Sequence, residues 1–212
     1  LTETTGGITC LPAEDHDPGG PRAHLLRSCG KAIANHDVAI YDSETREPVA
    51  DGEVGEIWIR GPQIMRGYWK NPQATAEAIL PDGWFRSGDA GFMQDGYLFI
   101  HDRVKDMIIS GGENIYPAEI ENVLMRHEQI ADAAVIGVPS DRWGETVKAI
   151  VTRVDDTLTE QAVIEFCRKN LAGYKCPTSV DWMDTKPRNP SGKILKVELR
   201  KPYWAGKDRQ VS

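Results

Sequence analysis

The sequence predicts an α+β fold in two parts, a strand-rich first half followed by a compact second half that mixes helices and strands. Three observations predict it. Short apolar runs of strand length recur through the first hundred or so residues, each closed by Gly, Pro or Asp-Gly. Beyond them the order becomes helix, strand, strand, helix, strand. The change of character falls near Lys105, so the expected boundary separates residues 1–104 from 105–212.

In chain order, Val38–Tyr41 and Glu56–Arg60 read as strands, with Asp51-Gly52 and Arg60-Gly61-Pro62 as breaks. Asn71-Pro72 opens a short helix over Gln73–Ile79, which Pro81-Asp82-Gly83 ends. Ser87-Gly88-Asp89 reads as an exposed turn, and Gly96–Ile100 as a strand. In the second half Ala118–Met125 reads as a helix, with Pro117 in its first turn. Ala131–Val138 reads as a strand closed by Pro139, and Thr146–Val154 as its neighbour. Thr159 opens a helix to Asn170 with acidic residues in its first turn. Ser179–Met183 is the last expected strand, and the polar tail after Tyr203 is expected to be loose.

The composition is that of an ordinary soluble globular protein, 40% hydrophobic and 27% charged over 212 residues. A formal net charge of -7 argues against a nucleic-acid partner. No apolar run reaches the roughly 20 residues that span a bilayer, so no transmembrane segment is expected. The first ten residues carry neither a basic region nor an apolar stretch of signal-peptide type. The four cysteines, Cys10, Cys29, Cys167 and Cys176, form no CxxC pair. Free thiols in a reducing compartment, hence a cytoplasmic location, are the expectation. Leu1 is not a methionine, which suggests a piece of something longer.

Five regions carry candidate chemistry. Asp89 sits between glycines, where backbone can approach closely and a carboxylate can accept two hydrogen bonds from a cis-diol; it is also an ordinary turn Asp. Arg103, at the end of a strand fourteen residues on, offers a fork for phosphate or ribose oxygens, or a solvated salt bridge with Asp102 or Asp106. Lys105 stands out only by its place at the boundary. Gly111-Gly112 fits neither GxxxxGK[ST] nor GxGxxG, and reads as a loose turn or a close passage of backbone past a ligand. Lys193 follows Pro190-Ser191-Gly192 on a glycine turn, either solvated or facing an anionic centre. Trp143, in a polar loop, is a lid over core or a stacking platform. The five histidines are scattered and form no nucleophilic constellation.

Taken together the motifs resemble the adenylate-forming superfamily, specifically its AMP-forming acyl-CoA synthetases. Leu1-Thr2-Glu3 resembles the end of a YGxTE motif. Gly55-Glu56-Ile57 through Gly61, Gly67-Tyr68 and Asn71-Pro72 resembles GE(L/I)…G…GY…NP. Phe85–Asp89 resembles YRTGD, and Asp102–Asp106 resembles GRxKD with Asp102 in place of glycine. Gly111–Glu119 and Pro190–Lys193 complete the set.

The resemblance implies that residues 1–104 are the β-rich end of a large AMP-binding domain and that 105–212 are the small mobile C-terminal domain. It implies a ligase of fatty-acid or aryl-acid metabolism. A carboxylic acid and ATP give acyl-AMP and pyrophosphate, and coenzyme A then displaces AMP. Thr2 would contact the adenylate phosphate and Glu3 a magnesium ion. Asp89 would hold the ribose, with Arg103 beside it. Lys193 would be the catalytic lysine, touching the acyl carboxylate and the α-phosphate. Lys105 would be the hinge. Gly111, Gly112, Trp143 and Tyr174 would contact coenzyme A. An upstream large domain of the same enzyme is the implied partner, and the chain alone is expected to be inactive. Two alternatives stand beside this: a carrier-protein adenylation domain, from which SGGENIYPAEIE departs, and a non-catalytic module that binds nucleotide or coenzyme A.

Overall fold

Alternating apolar residues on adjacent strands build both cores. The structure, a computed structural model, describes residues 1–207. The chain divides into two compact units, Leu1–Val104 and a second that begins at Lys105.

In the first unit, β1 (Thr9–Cys10) and β2 (Lys31–Ala32) form a short antiparallel pair. β3 (Asp37–Tyr41), β4 (Gly55–Arg60), β5 (Phe85–Gln94) and β6 (Tyr97–Arg103) form an antiparallel sheet in sequence order. Ile40, Ile57, Ile59, Phe85 and Leu98 pack as its core. On the other side of β4, Trp58 stacks on Tyr41 with ring centres 4.0 Å apart. Helix α1 (Pro72–Ala78) starts where Asn71 Oδ1 accepts the Ala74 N–H at 3.1 Å, a side-chain cap with proline in the first turn.

The second unit runs β7 (Ile108–Ser110), β8 (Glu113–Ile115), α2 (Pro117–Leu124), β9 (Ile130–Ser140), β10 (Gly144–Arg153), α3 (Glu160–Asn170), β11 (Ser179–Trp182) and α4 (Lys196–Trp204). β10 pairs antiparallel with β9 along its whole length, parallel with β11, and with β7 at Gly144. The period of two along β9 and β10 sorts their side chains to opposite faces. Ala133, Val135, Val147, Ala149 and Val151 face Ile120, Leu124, Val163 and Cys167 of α2 and α3. Ala134, Ile136, Val138 and Ile150 face Leu199 and Tyr203 of α4. Each fully buried Val or Ile contributes about 1.5–3 kcal/mol, so both helical layers are needed to keep this hairpin dry.

Three expectations are corrected. Ser87-Gly88-Asp89 is not an exposed turn but part of β5, where three residues bulge opposite Ile57 alone: Glu56 pairs with Ala90 and Trp58 with Arg86. β9 does not close at Pro139; it runs to Ser140, and the strand is paired on one side among the described residues, where proline costs no ladder bond. Gly111-Gly112 joins β7 to β8 as a two-residue hairpin turn with φ of +61° and +86°, values that glycine adopts without strain. Helix α4 runs to Trp204, one residue into the expected tail; residues 208–212 of that tail lie outside the described residues.

Candidate functional site

In the first unit the bulge in β5 is held from below by one buried carboxylate. Glu56 is 3% exposed. Its Oε2 accepts hydrogen bonds from Arg86 Nε (3.0 Å), Arg86 Nη2 (2.9 Å) and Trp58 Nε1 (3.0 Å), and its Oε1 accepts the Gly88 N–H (3.2 Å). Gly88 itself has a φ of +69°. Ser87 Oγ donates to the Ile57 carbonyl (2.7 Å) and accepts the Asp89 N–H (3.0 Å). The Glu56 carboxylate, the Trp58 indole N–H, the Ser87 hydroxyl and the Gly88 and Asp89 N–H groups are thereby paired, as burial requires.

The bulge presents Asp89. It stands opposite Arg103 across β5 and β6, and Arg103 Nε lies 2.8 Å from Asp89 Oδ1. The carboxylate side chain is 14% exposed and the arginine 46%, so the pair lies at the surface of the sheet with the fork accessible. Ser87 and Asp89 line a cavity of about 240 Å³ together with Leu1, Gly6, Gly7 and Ile100. Glu3 is nearby in the same unit: Tyr68 Oη donates to Glu3 Oε1 at 3.2 Å, and Met65 N–H donates to the Glu3 carbonyl at 2.8 Å. Burial raises the Tyr68 hydroxyl pKa, the Glu3 charge and hydrogen bond raise it further, and Arg103 opposes them. Tyr68 therefore lies in the field of both Glu3 and Arg103. Thr2 is exposed, and its carbonyl accepts the Thr5 N–H at 3.0 Å.

In the second unit Gly111, Trp143 and Tyr174 line one cavity of about 350 Å³, with Ser110, Glu113 and Thr178. Gly111 donates its N–H to the Trp143 carbonyl at 2.9 Å, and a Cβ there would sit 2.9 Å from the indole ring. A glycine is thus required for the tryptophan to lie as it does. Arg142 stacks its guanidinium 4.4 Å from the Trp143 ring centre, and the indole is 47% exposed rather than sealed over core. Gly112 shares the hairpin tip but does not line the cavity. Lys193 lies on a separate hairpin, exposed, with its N–H donated to Asn189 Oδ1 at 2.9 Å. Lys105 lies in a single turn of 3₁₀ helix, Val104–Asp106.

The structure thus sets Glu3 and Arg103 in the field of Tyr68, with Asp89 paired to Arg103, and gathers Gly111, Trp143 and Tyr174 around one cavity. Glu56 and Arg86, which build the Asp89 bulge, escape a reading of the sequence. The available signal was a charged residue inside the otherwise apolar Glu56–Ile59 run. Asp132 and Arg188, treated below, leave no local signal at all.

The chain is also similar to known proteins. Residues 1–69 match the family profile of the AMP-binding enzymes, and residues 119–193 match the AMP-binding enzyme C-terminal domain. The chain is 43% identical over 214 residues to a fatty acid–[acyl-carrier-protein] ligase, ScoC, of Streptomyces coeruleorubidus, covering 100% of this chain and 40% of that protein. It is 47% identical over 211 residues to a feruloyl-CoA synthase of an Amycolatopsis species, covering 96% and 40%. Among solved structures it resembles the o-succinylbenzoate CoA synthetase MenE of Bacillus subtilis in complex with the acyl-adenylate intermediate OSB-AMP. The TM-score there is 0.84 at 34% identity, with 94% of this chain and 39% of that chain covered. The chain spans about 40% of the length of the curated relatives it matches.

Proposed function

The chain belongs to the AMP-binding enzymes, and from that membership we propose that it serves a ligase that joins a carboxylic acid to a thiol through an acyl-adenylate. In the first step a carboxylate oxygen attacks the α-phosphorus of ATP, the bond to the bridging oxygen breaks, and pyrophosphate leaves. In the second a thiolate attacks the acyl carbon and AMP leaves. The observation that carries this reading is the Asp89–Arg103 pair on its bulge, with Glu3 and Tyr68 in the same unit.

Each residue has a role its chemistry suits. The Asp89 carboxylate accepts from the ribose hydroxyls, and Arg103 holds it while offering its remaining N–H groups to oxygen. Thr2 offers a hydroxyl to the α-phosphate. Lys193 brings a cation to the charge that grows on the α-phosphate and the acyl carboxylate. Glu3 suits magnesium, since that ion is held by one or two carboxylates with substrate phosphates. Magnesium, when bound, neutralises phosphate charge. Lys105 is the hinge between the two steps. The Trp143–Tyr174 cavity, lined by Gly111 with Gly112 beside it on the hairpin tip, receives the adenine-bearing thiol coenzyme A. The free cysteines suit a reducing, cytoplasmic setting.

The similarity to ScoC favours a second reading for the acceptor, a carrier-protein thiol. The test uses the full-length protein with fatty and aryl acids in an acid-dependent ATP–pyrophosphate exchange assay. Coenzyme A and a phosphopantetheinylated carrier protein are then offered in separate arms. Acid-dependent exchange and thioester formation with coenzyme A are expected. Nucleotide binding without exchange for any acid would overturn the ligase reading, and thioester formation only on the carrier protein would replace the acceptor.

A further inference from the structure

We propose that Asp132 and Arg188 are positioning residues for Lys193, tying the hairpin that carries it to the sheet of the second unit. This rests on the reading of Lys193 as the lysine of the adenylation step. The chain of contacts starts on β9. Asp132 Oδ2 accepts from Arg188 Nη2 at 2.6 Å and lies 3.4 Å from Lys186 Nζ. Lys186 has a fully buried side chain, and its ammonium also donates to Thr152 Oγ1 on β10 (2.6 Å) and to the Asp132 carbonyl (3.1 Å). Burial lowers the Lys186 pKa while the Asp132 carboxylate opposes that. One carboxylate therefore serves two cations, one inside the sheet and one at its surface.

Arg188 carries the connection outward. While Nη2 holds Asp132, Nη1 donates to the Gly192 carbonyl at 2.7 Å. That carbonyl belongs to the peptide just before Lys193. The peptide N–H of Lys193 is taken by Asn189 Oδ1 at 2.9 Å, and its carbonyl accepts the Asn189 N–H at 2.9 Å. Ser191 Oγ donates to the same Asn189 Oδ1 at 2.8 Å. Arg188 and Ile194 then bridge antiparallel, and Ile194 packs on the core beneath α4. Both peptide planes beside the Lys193 Cα are held, yet the lysine side chain is exposed. A solvated surface lysine needs no such frame. A lysine that must meet a reacting phosphate does, because a displacement of about 1 Å can cost roughly 100-fold in rate.

A planar guanidinium is what the bridge requires. Its two terminal nitrogens reach two acceptors at once, the side chain of residue 132 and the main chain of residue 192, which a single ammonium does not do in the same geometry. Arg188 is 44% exposed, so its replacement by lysine leaves the fold intact and removes the bridge.

The test compares Arg188→Lys, Asp132→Asn and Lys193→Ala. Amide hydrogen exchange at residues 192 and 193 is read on this chain, and both half-reactions are read on the full-length protein. For Arg188→Lys, exchange at these two amides should rise about tenfold while the core amides of β9 and β10 keep their protection. The adenylation kcat should fall about tenfold with less than a twofold change in KM for ATP, and thioester formation from supplied acyl-AMP should be unaffected. Asp132→Asn should show the same pattern with added loss of stability. Unchanged exchange in Arg188→Lys overturns the proposal. So does faster exchange with unchanged adenylation, provided Lys193→Ala is slow. If Lys193→Ala is itself without effect on adenylation, the reading of Lys193 falls, and this proposal falls with it.

Discussion

Lys193 and Glu56 show two ways in which a single residue can matter here. Lys193 is exposed on a held hairpin, and in the function proposed above it delivers charge to a substrate. Lys193→Ala should slow acyl-AMP formation by roughly 100-fold or more, the scale for losing one charge-stabilising donor. Thioester formation from pre-made acyl-AMP should change far less, and equal losses in both steps would contradict the role. Glu56 is the opposite case. It is buried and holds Arg86, Trp58 and the Gly88 N–H at once. Glu56→Ala strands a partly buried arginine and two N–H donors. It should cost about 3 kcal/mol, or roughly 6–12 °C in Tm for a chain of this size. The Asp89 bulge then loses its floor, so the preference of the full-length protein for ATP over its 2′- and 3′-deoxy forms should shrink. Calorimetry with the deoxynucleotide series checks both effects; an intact preference in a destabilised variant would separate Glu56 from Asp89.

At the scale of elements, α3 and α4 close the two faces of one hairpin, and each buries an acidic group that resists ionisation. Burial, aided by neighbouring Cys176, pushes the Cys167 thiol up to about 12 from an ordinary 9.0. Burial and the hydrogen bond to Asp181 push the Tyr203 hydroxyl up to about 12 from 10.0. Both groups keep their protons more tightly when folded. Their contribution is whole below the unfolded values and is lost as pH rises from 9 or 10 towards 12. The urea midpoint should therefore fall between about pH 8 and about pH 11, and Cys167→Ala should flatten that fall even though it lowers stability at neutral pH. An unaltered slope would place the alkaline sensitivity elsewhere. The same elements show what a sequence can display. β9 and β10 were legible because Ala, Val and Ile alternate along both, and α3 because Thr159 caps it. α4 was hidden because Pro202 interrupts it and only Leu199 and Arg200 are buried. Asp89 and Arg103 were legible as residues, but not as register partners on a bulge. Their pairing is a product of the sheet, and the Asp132–Arg188 contact joins positions with no periodic relation.

For the whole molecule, the chain passes from one compact unit to the other between Val104 and Lys105. The residues on either side are anchored within their own units. Arg103 is the last residue of β6 and pairs with Asp89 at 2.8 Å. Asp106 pairs with Arg200 of α4 at 2.9 Å, both side chains being nearly buried, at 13% and 9% exposure. Between these anchors lie only Val104 and Lys105, so any rotation of one unit against the other must be taken up by their few dihedral angles. Proline at 105 would fix φ near -65° and also restrict Val104 before it. Lys105→Pro should therefore permit the half-reaction whose arrangement suits that φ and suppress the other, with adenylation expected to survive and thioester formation to be lost. Lys105→Ala keeps both dihedrals free and should be far milder in each step. Measuring the two half-reactions in both variants of the full-length protein decides the matter. Coenzyme A transfer that survives proline, or alanine as damaging as proline, would mean that the change of arrangement does not turn on the backbone at Lys105.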